Sequence, residues 1–343
     1  MLPSGTKEST GRVGLPGNMD IHFILLLVGL SPATGAGAID TACAMRPVRL
    51  RTNNLLSNPL GVSSSSVKLS WALEATGSSR GLVQSAYHVR LCSAADCDSA
   101  DIWDSGKVAS AETLEIAIPV KLSPATKVFW KVEIFDASGA ACERSETAWF
   151  ETALAPGEIG WQGSEWLARF APAVLNESSC DLYDPTQERT HAPRFRAKVK
   201  VPQSVVSARA YIVGLGYYQL FIDGERIGTS QLDPGWTTYS KTVLYAVHDV
   251  TKQMGSSDQH VVGVELGNGW WNPMTLKMWG HTDVRGALTV GQGRGNGTTT
   301  EPMFRLKVIG TMSDGSQKTL LTSSSSSDQW MASSSPTIFN NIV

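Results

Sequence analysis

Hydrophobic and polar residues alternate along the first half of the chain, which is the pattern of strands that bury one face. Segments at 67–73 and 127–136 each place apolar residues on one side, namely Val67, Leu69 and Trp71, and Val128, Trp130, Val132 and Ile134. Similar segments at 85–92 and 148–154 are separated from them by turns rich in glycine and serine. Short strands at this spacing predict a β-sandwich over residues 46–154.

A second alternating pattern follows the Gly- and Pro-containing linker at 155–163. The segment 194–201 places Phe195, Ala197, Val199 and Val201 on one face. Asp223-Gly224, between two apolar runs, predicts a hairpin turn. No helical periodicity persists for about 12 residues, so no long amphipathic helix is expected. The chain is therefore predicted to be all-β, with a second sandwich of jelly-roll type over 160–335.

The composition gives no indication of a nucleic-acid or membrane partner. The 343 residues carry a net charge of −2, so no basic surplus points to nucleic acid or to an acidic membrane surface. No run reaches the roughly 18 apolar residues of a transmembrane helix. The five cysteines match no zinc-site spacing: Cys43, Cys92, Cys97, Cys142 and Cys180. Cys92 and Cys97 flank a short polar loop, and they either close it as a disulfide or remain unpaired thiols.

The first 45 residues are predicted to be a disordered leader that contains a signal peptide at 19–38. If the chain starts at Met19, the apolar run at 22–30 is followed by the small-residue cleavage triplet Ala36-Gly37-Ala38. This pattern predicts a secreted, extracellular protein, on which Asn176 and Asn296 are sequon asparagines. The alternative is a disordered tail with a chance apolar run.

The candidate chemistry lies at two Gly-Trp corners in the second half. In the first, an Asp-Pro-Gly turn presents Trp236 and Tyr239 close together. The structural alternative buries Trp236 under the turn, with Asp233 capping the turn amides. Exposed aromatic rings suit sugars, because a pyranose has one apolar face and a rim of hydroxyls.

The second corner brings an amide beside two tryptophans. Asn268 lies between glycines that allow a ligand to approach the backbone closely, and its side chain can both donate to and accept from a sugar diol. Trp270 and Trp271 cannot both point inward from one strand, so at least one is exposed. Trp279 is expected on the same rim. These residues, with Trp236 and Tyr239, predict a carbohydrate-binding surface.

One residue is a candidate metal ligand. Asp223 could help to hold a calcium ion, which takes carboxylate and backbone oxygens. The alternative is that Asp223 only forms the turn. Alternation over Tyr217, Gln219 and Phe221 places these side chains on the face of Asp223, where most of them are expected to pack inside the sandwich.

Several motifs occur together in one order: Pro59-Leu60-Gly61-Val62, Gln84-Ser85-Ala86-Tyr87, Trp103-Asp104-Ser105-Gly106-Lys107-Val108, GLGYY from Gly214, LDPGWT from Leu232 and LGNGWW from Leu266. In this combination residues 46–342 resemble the N-terminal accessory region of bacterial-type α-L-rhamnosidases, glycoside hydrolase family 78. The resemblance implies a fibronectin type III-like domain at 46–154 and the family's N-terminal β-sandwich at 160–335. It also implies that the second domain assists substrate recognition, which in some members involves rhamnose and calcium.

In that family, catalysis takes place in a separate (α/α)6 barrel. Residues 336–343 are expected to be a truncated tail before that barrel, and no catalytic residue of the family can be carried onto this sequence. The leading hypothesis is a non-catalytic portion that recognises rhamnose-containing glycans and partners a separate catalytic domain. The alternatives are an incomplete chain of an active enzyme that hydrolyses terminal α-L-rhamnosides, and a structural adhesion or interaction module.

Overall fold

The computed structural model describes residues 43–56, 58–169, 173–174, 192–271, 298–299, 302–325 and 329–333. Several predictions fall on residues outside these ranges: the signal peptide at 19–38, Asn176 and Asn296, Cys180, Trp279 and the tail at 336–343. Within the described ranges, no helix is long and apolar enough to cross a membrane.

The first part of the chain folds into two antiparallel sheets. Its strands are β1 (Met45–Thr52), β2 (Leu55–Leu56), β3 (Lys68–Ala75), β4 (Gln84–Cys92), β5 (Trp103–Asp104), β6 (Ile116–Ala117), β7 (Lys127–Asp136) and β8 (Ala148–Glu151). They are ordered β2-β1-β3-β6 in one sheet and β5-β4-β7-β8 in the other. The two sheets enclose one apolar core, so this part is a β-sandwich, as predicted.

The alternating residues form that core. The apolar faces predicted for 67–73 and 127–136 are buried, with Leu69, Trp130, Val132 and Ile134 fully shielded from solvent. The buried indole of Trp71 donates its N–H to Gln84 Oε1 at 3.0 Å. Gln84 in turn donates to two backbone carbonyls, so the Trp71 N–H and the Gln84 amide are both satisfied inside this core.

Two disulfides lie in the first sandwich. Cys92 and Cys97 are bonded across their loop, which decides between the two alternatives left open by the sequence. Cys43 is bonded to Cys142, 99 residues away. Cys43 directly precedes β1 of one sheet, whereas the Cys142 N–H donates to the Ile134 carbonyl in β7 of the other. The Cys43–Cys142 disulfide therefore joins the two sheets. The sequence contained no signal for that second pairing.

A linker with a 3-10 helix (Gly157–Ile159) leads into the second sandwich. Its elements are β9 (Leu167–Ala168), β10 (Ala173–Val174), β11 (Arg194–Lys200), β12 (Val205–Leu215), β13 (Tyr217–Ile222), β14 (Glu225–Ile227), β15 (Ala246–Asp249), α1 (Thr251–Met254), β16 (Gln259–Gly267), β17 (Thr298–Thr299), β18 (Met303–Met312), β19 (Gln317–Thr322) and β20 (Trp330–Ser333). One sheet is ordered β14-β13-β16-β11-β20, the other β15-β12-β18-β19, with β9 beside β18 and a separate β10-β17 pair.

The core of the second sandwich confirms one predicted face and corrects another. The inward face of β11 is buried as expected. On β13, however, Tyr218, Leu220 and Ile222 are buried, so the prediction that Tyr217, Gln219 and Phe221 pack inside was wrong. Both faces of β13 carry large apolar residues, so alternation alone could not choose between them. The choice follows from β16, whose buried Val264 and Val262 lie opposite Leu220 and Ile222.

The two sandwiches contact each other through buried polar groups. Arg209 of β12 donates to both carboxylate oxygens of Glu151 of β8, at 2.7 and 2.6 Å. The Arg209 guanidinium also contacts Asp249 at 2.8 Å. Nearby, the Leu154 N–H donates to the Tyr245 hydroxyl at 3.1 Å. These bonds hold the end of β8 against the surface of the second sandwich.

Candidate functional site

The first Gly-Trp corner lies in the loop between β14 and β15. The peptide bond before Pro234 is cis, Pro234 is buried, and the Asp233 carbonyl accepts the Tyr218 N–H at 3.0 Å. The turn is therefore anchored to β13. Trp236 follows it with 56% of its surface exposed, which excludes the alternative of a tryptophan packed under the turn.

The second corner directly follows β16 and is closed by glycines. Gly216 has φ +102°, and an added Cβ there would lie 2.2 Å from the Gly267 carbonyl oxygen. Gly269 has φ +49°, and its Cβ would lie 3.2 Å from the Gly216 backbone and from the Tyr217 ring. Only glycine permits this close approach of the two chain segments. The approach fixes the direction in which the chain leaves β16 toward Trp270.

The fold brings the two corners together. The indoles of Trp236 and Trp270 are stacked, with ring centroids 4.8 Å apart and planes 16° from parallel. We call these two residues the tryptophan platform. Because Trp270 covers one face of Trp236 while more than half of Trp236 remains exposed, the opposite face of Trp236 is open to solvent. Trp270 is itself 36% exposed.

A second aromatic pair supports the platform. Tyr239 contacts Trp271 edge-on, with centroids 5.5 Å apart and planes at 83°. Tyr239 is buried and Trp271 is half-buried, so neither ring offers the open face that the sequence analysis expected of it. Asn268 is half-buried at the turn before Trp270. Of the predicted binding residues, Trp236 and Trp270 are thus the two exposed rings within the described chain.

Sequence reasoning considered Asp233 only as a structural residue of the first corner. Asp233 is half-buried, and its carboxylate accepts no hydrogen bond from any described residue, so the expectation that it caps the turn amides was wrong. The negative charge of Asp233 acts on the pKa values of Tyr218 and His248. These two buried side chains form a pair in which the Tyr218 hydroxyl oxygen lies 3.0 Å from His248 Nε2. Burial raises the pKa of Tyr218, and the Asp233 charge raises it further. Burial lowers the pKa of His248, whereas the Asp233 charge acts in the opposite direction. A carboxylate that has no partner in the described chain and precedes an exposed indole by three residues can accept hydrogen bonds from a ligand.

Asp223 lies at the opposite end of the strand. It forms the predicted β13–β14 hairpin turn, with φ +51° at Asp223 and +84° at Gly224. Its carboxylate accepts from Val261 N–H at 2.7 Å and contacts His260 Nδ1 at 2.6 Å. Six residue steps separate Asp223 from Tyr217, the end of β13 that lies beside the platform, which corresponds to roughly 20 Å.

The surroundings of Asp223 do not suit a calcium ion. Calcium takes about six to eight oxygen ligands, whereas both oxygens of this carboxylate already have protein partners. Among the described residues, no group of three or more His, Cys, Asp or Glu side chains is placed to hold a metal. The geometry favours the turn-forming alternative for Asp223.

We expect Asp223→Asn to lower the melting temperature at neutral pH, by an amount that disappears in acid. Partial burial raises the pKa of Asp223, but the bonds from His260 and Val261 outweigh it and leave the pKa lowered. A lowered pKa gives stability that is present above the unfolded value near 4 and lost as the pH falls through the folded value. Melting curves from about pH 7 to about pH 2.5 should therefore converge for the two proteins. Asp258→Asn, at an exposed carboxylate nearby, is the control; a pH-independent difference for Asp223→Asn would contradict the assignment.

The described chain is an all-β protein of two antiparallel sandwiches, with an aromatic pair displayed on loops of the second. Comparisons with known proteins place it in a family. Residues 203–343 match the α-L-rhamnosidase N-terminal domain, and residues 47–156 match the Rha78A-like N-terminal immunoglobulin domain. The chain is the counterpart of the N-terminal accessory region of the α-L-rhamnosidases of glycoside hydrolase family 78.

Individual relatives agree. An α-L-rhamnosidase of Formosa agariphila is 30% identical over 305 residues, which are 84% of this chain and 30% of that protein. One from Streptomyces avermitilis is 33% identical over 198 residues, 53% of this chain and 18% of that protein. The chain therefore spans less than a third of the length of these relatives.

Solved structures share the fold. The α-L-rhamnosidase from Dictyoglumus thermophilum superposes with a TM-score of 0.64 at 29% identity, covering 84% of this chain and 29% of that one. The enzyme from Streptomyces avermitilis, solved with L-rhamnose, has a TM-score of 0.66 at 20% identity, covering 85% of this chain and 41% of that one. The second similarity shows a common fold.

Proposed function

We propose that this chain is a carbohydrate-binding accessory portion of an α-L-rhamnosidase-like protein and that it recognises rhamnose-containing glycans at the tryptophan platform. The observation that carries the proposal is the open face of Trp236, held flat by its stack on Trp270. A pyranose ring places its C–H face on such an indole, and the adjacent polar groups bind its hydroxyls.

The polar groups needed for that recognition lie on the same two corners. Asp233 supplies a carboxylate without a partner in the described chain, three residues before Trp236. Asn268 supplies an amide two residues before Trp270. A carboxylate accepts from two sugar hydroxyls, whereas an amide both donates and accepts. One stacked ring with a few directed polar groups is the composition of a small-ligand site.

The proposal extends to a companion catalytic domain and to secretion of the protein. The relatives are α-L-rhamnosidases more than three times as long as the matched region, so this portion would accompany a separate catalytic domain that hydrolyses terminal α-L-rhamnosides. Two disulfides in the described chain suit an oxidising compartment. They support the proposal of a secreted protein.

Removing the platform should weaken sugar binding strongly without unfolding the protein. Wild type, Trp236→Ala and Trp270→Ala are titrated with L-rhamnose by calorimetry, and a melting curve is recorded for each. Loss of a stacked anchor at a binding hot spot costs about 2 kcal/mol, so we expect affinity to fall about 30-fold in Trp236→Ala. The melting temperature should change little, because Trp236 is mostly exposed.

Met331→Ala is the matched control, because Met331 is 57% exposed on β20 of the same sandwich and lies on neither corner. Its affinity for L-rhamnose should equal that of wild type. Unchanged affinity in both tryptophan variants, or a wild type that shows no saturable binding, would leave the chain as a structural module instead.

A further inference from the structure

A cavity opens between the two sandwiches. It has a volume of about 680 Å³ and is bounded by residues 63–65 and 153–157 of the first sandwich and its linker, and by Trp166, Lys241 and Tyr245 on the other side. Neither Trp236 nor Trp270 lines it. Its volume falls in the usual range of ligand pockets, which occur preferentially at domain interfaces.

The walls of this cleft are held in place by charged side chains. Arg305, buried in β18, donates to the Ser164 carbonyl at 2.7 Å and to the Trp161 carbonyl at 3.3 Å, and pairs with Glu158 at 2.8 Å. Lys307 donates to the Gly160 carbonyl at 3.0 Å. Hydrogen bonds and an ion pair thus connect linker residues 158–164 to the second sandwich. A site assembled before binding loses little free energy to ordering when a ligand enters.

Aromatic rings form one side of the cleft. Trp166 lines it with 37% of its surface exposed. Trp161 and Tyr245 also line the cleft and contact each other edge-on, with centroids 5.5 Å apart and planes at 87°. An accessible indole in a concave polar site can stack on the C–H face of a sugar ring.

The polar side chains of the cleft are hydroxyls, the Glu158–Arg305 ion pair and Lys241. Ser63 and Ser65 lie with their Oγ atoms 3.2 Å apart, and Thr242 adds another hydroxyl. The Glu158 carboxylate is neutralised by Arg305, whereas the Lys241 ammonium has no ion-pair partner among the described residues. The side chains that line the cleft therefore carry a net charge of about +1, which favours an anionic ligand.

We propose that this interdomain cleft is a second glycan site, separate from the tryptophan platform, and that it takes a hexuronate unit. The pyranose ring stacks on Trp166, the serine and threonine hydroxyls bind the ring hydroxyls, and Lys241 pairs with the sugar carboxylate. This inference does not depend on rhamnose binding at the platform, since the two sites share no described residue.

The test uses tryptophan indole signals as reporters. Protein labelled with ¹⁵N at the tryptophan indoles is titrated with D-glucuronate and D-galacturonate, and separately with the neutral sugars D-glucose and D-galactose. The Trp166 signal is assigned by its loss in Trp166→Phe. We expect a hexuronate to shift that signal saturably, while the neutral hexoses bind at least about tenfold more weakly, as expected for loss of a charged hydrogen bond.

Variants separate the sites and guard against misfolding. Lys241→Gln, an exposed residue, should keep the fold and weaken hexuronate binding about tenfold. Trp236→Ala should bind the hexuronate like wild type, whatever its behaviour with L-rhamnose. If neither hexuronate shifts the Trp166 signal, if the neutral hexoses bind equally well, or if Lys241→Gln binds like wild type, the proposal is wrong.

Discussion

Replacing Cys43 and Cys142 together with alanine is expected to lower the free energy of unfolding of the first sandwich by about 4 kcal/mol. The bond closes a loop of 99 residues and connects the two sheets. In the chain-entropy model, a cross-link of this span removes much of the conformational freedom of the unfolded chain, corresponding to about 4.7 kcal/mol. Urea unfolding followed by circular dichroism, under non-reducing conditions, measures the loss.

The second disulfide provides a matched comparison in the same sandwich. Cys92 and Cys97 are only 5 residues apart, so the same model assigns that bond about 2 kcal/mol. Cys92→Ala/Cys97→Ala should therefore destabilise the protein by roughly half as much. Equal losses in the two double variants would show that loop span does not set the contribution of the long-range bond.

Arg209→Met is expected to destabilise the chain by about 3 kcal/mol, because it leaves the Glu151 carboxylate buried without its cation. The guanidinium makes two bonds to that carboxylate, and both side chains are nearly buried, at 12% and 10% exposure. Thermal and urea unfolding of the purified chain measure the change. The loss of stability should reflect a weaker contact between the two sandwiches, because Glu151 belongs to the first and Arg209 to the second.

Two further variants make this prediction specific. Glu151→Leu combined with Arg209→Met should recover much of the stability, because neither charge is then left unpaired. Arg194→Met removes a cation whose pair with Glu265 is more exposed, and it should cost less than about 1 kcal/mol. A double variant no more stable than Arg209→Met alone would show that the pair itself, and not its isolated charge, determines the stability.

Local periodicity accounts for the part of the fold that could be predicted. A strand turns successive side chains to opposite faces, so the buried positions of β3, β7 and β11 follow directly from alternation. The Asp223-Gly224 hairpin likewise follows from local backbone preferences, since both residues tolerate positive φ. Alternation failed on β13 because both of its faces are apolar, and there the partner strand decides.

The candidate site was predicted only as a set of separate corners. Glycines and tryptophans indicated exposed rings at 232–239 and 266–273, and the structure places Trp236 and Trp270 at the surface. Their stacking joins residues 34 positions apart, and nothing in either corner specifies it. The same limit applies to Tyr239, which local spacing grouped with Trp236 and which instead packs on Trp271.

The sequence by itself determined the all-β class, the strand positions and the resemblance to rhamnosidase accessory regions, because each depends on short-range pattern. Only the tertiary structure decided the Cys43–Cys142 pairing, the Arg209–Glu151 contact and the cleft beside Trp166. These features depend on how sheets pack and on which loops meet at their ends. Side chains far apart in the chain become neighbours there through the burial of the two cores, a driving force that is not directional and leaves no local mark in the sequence.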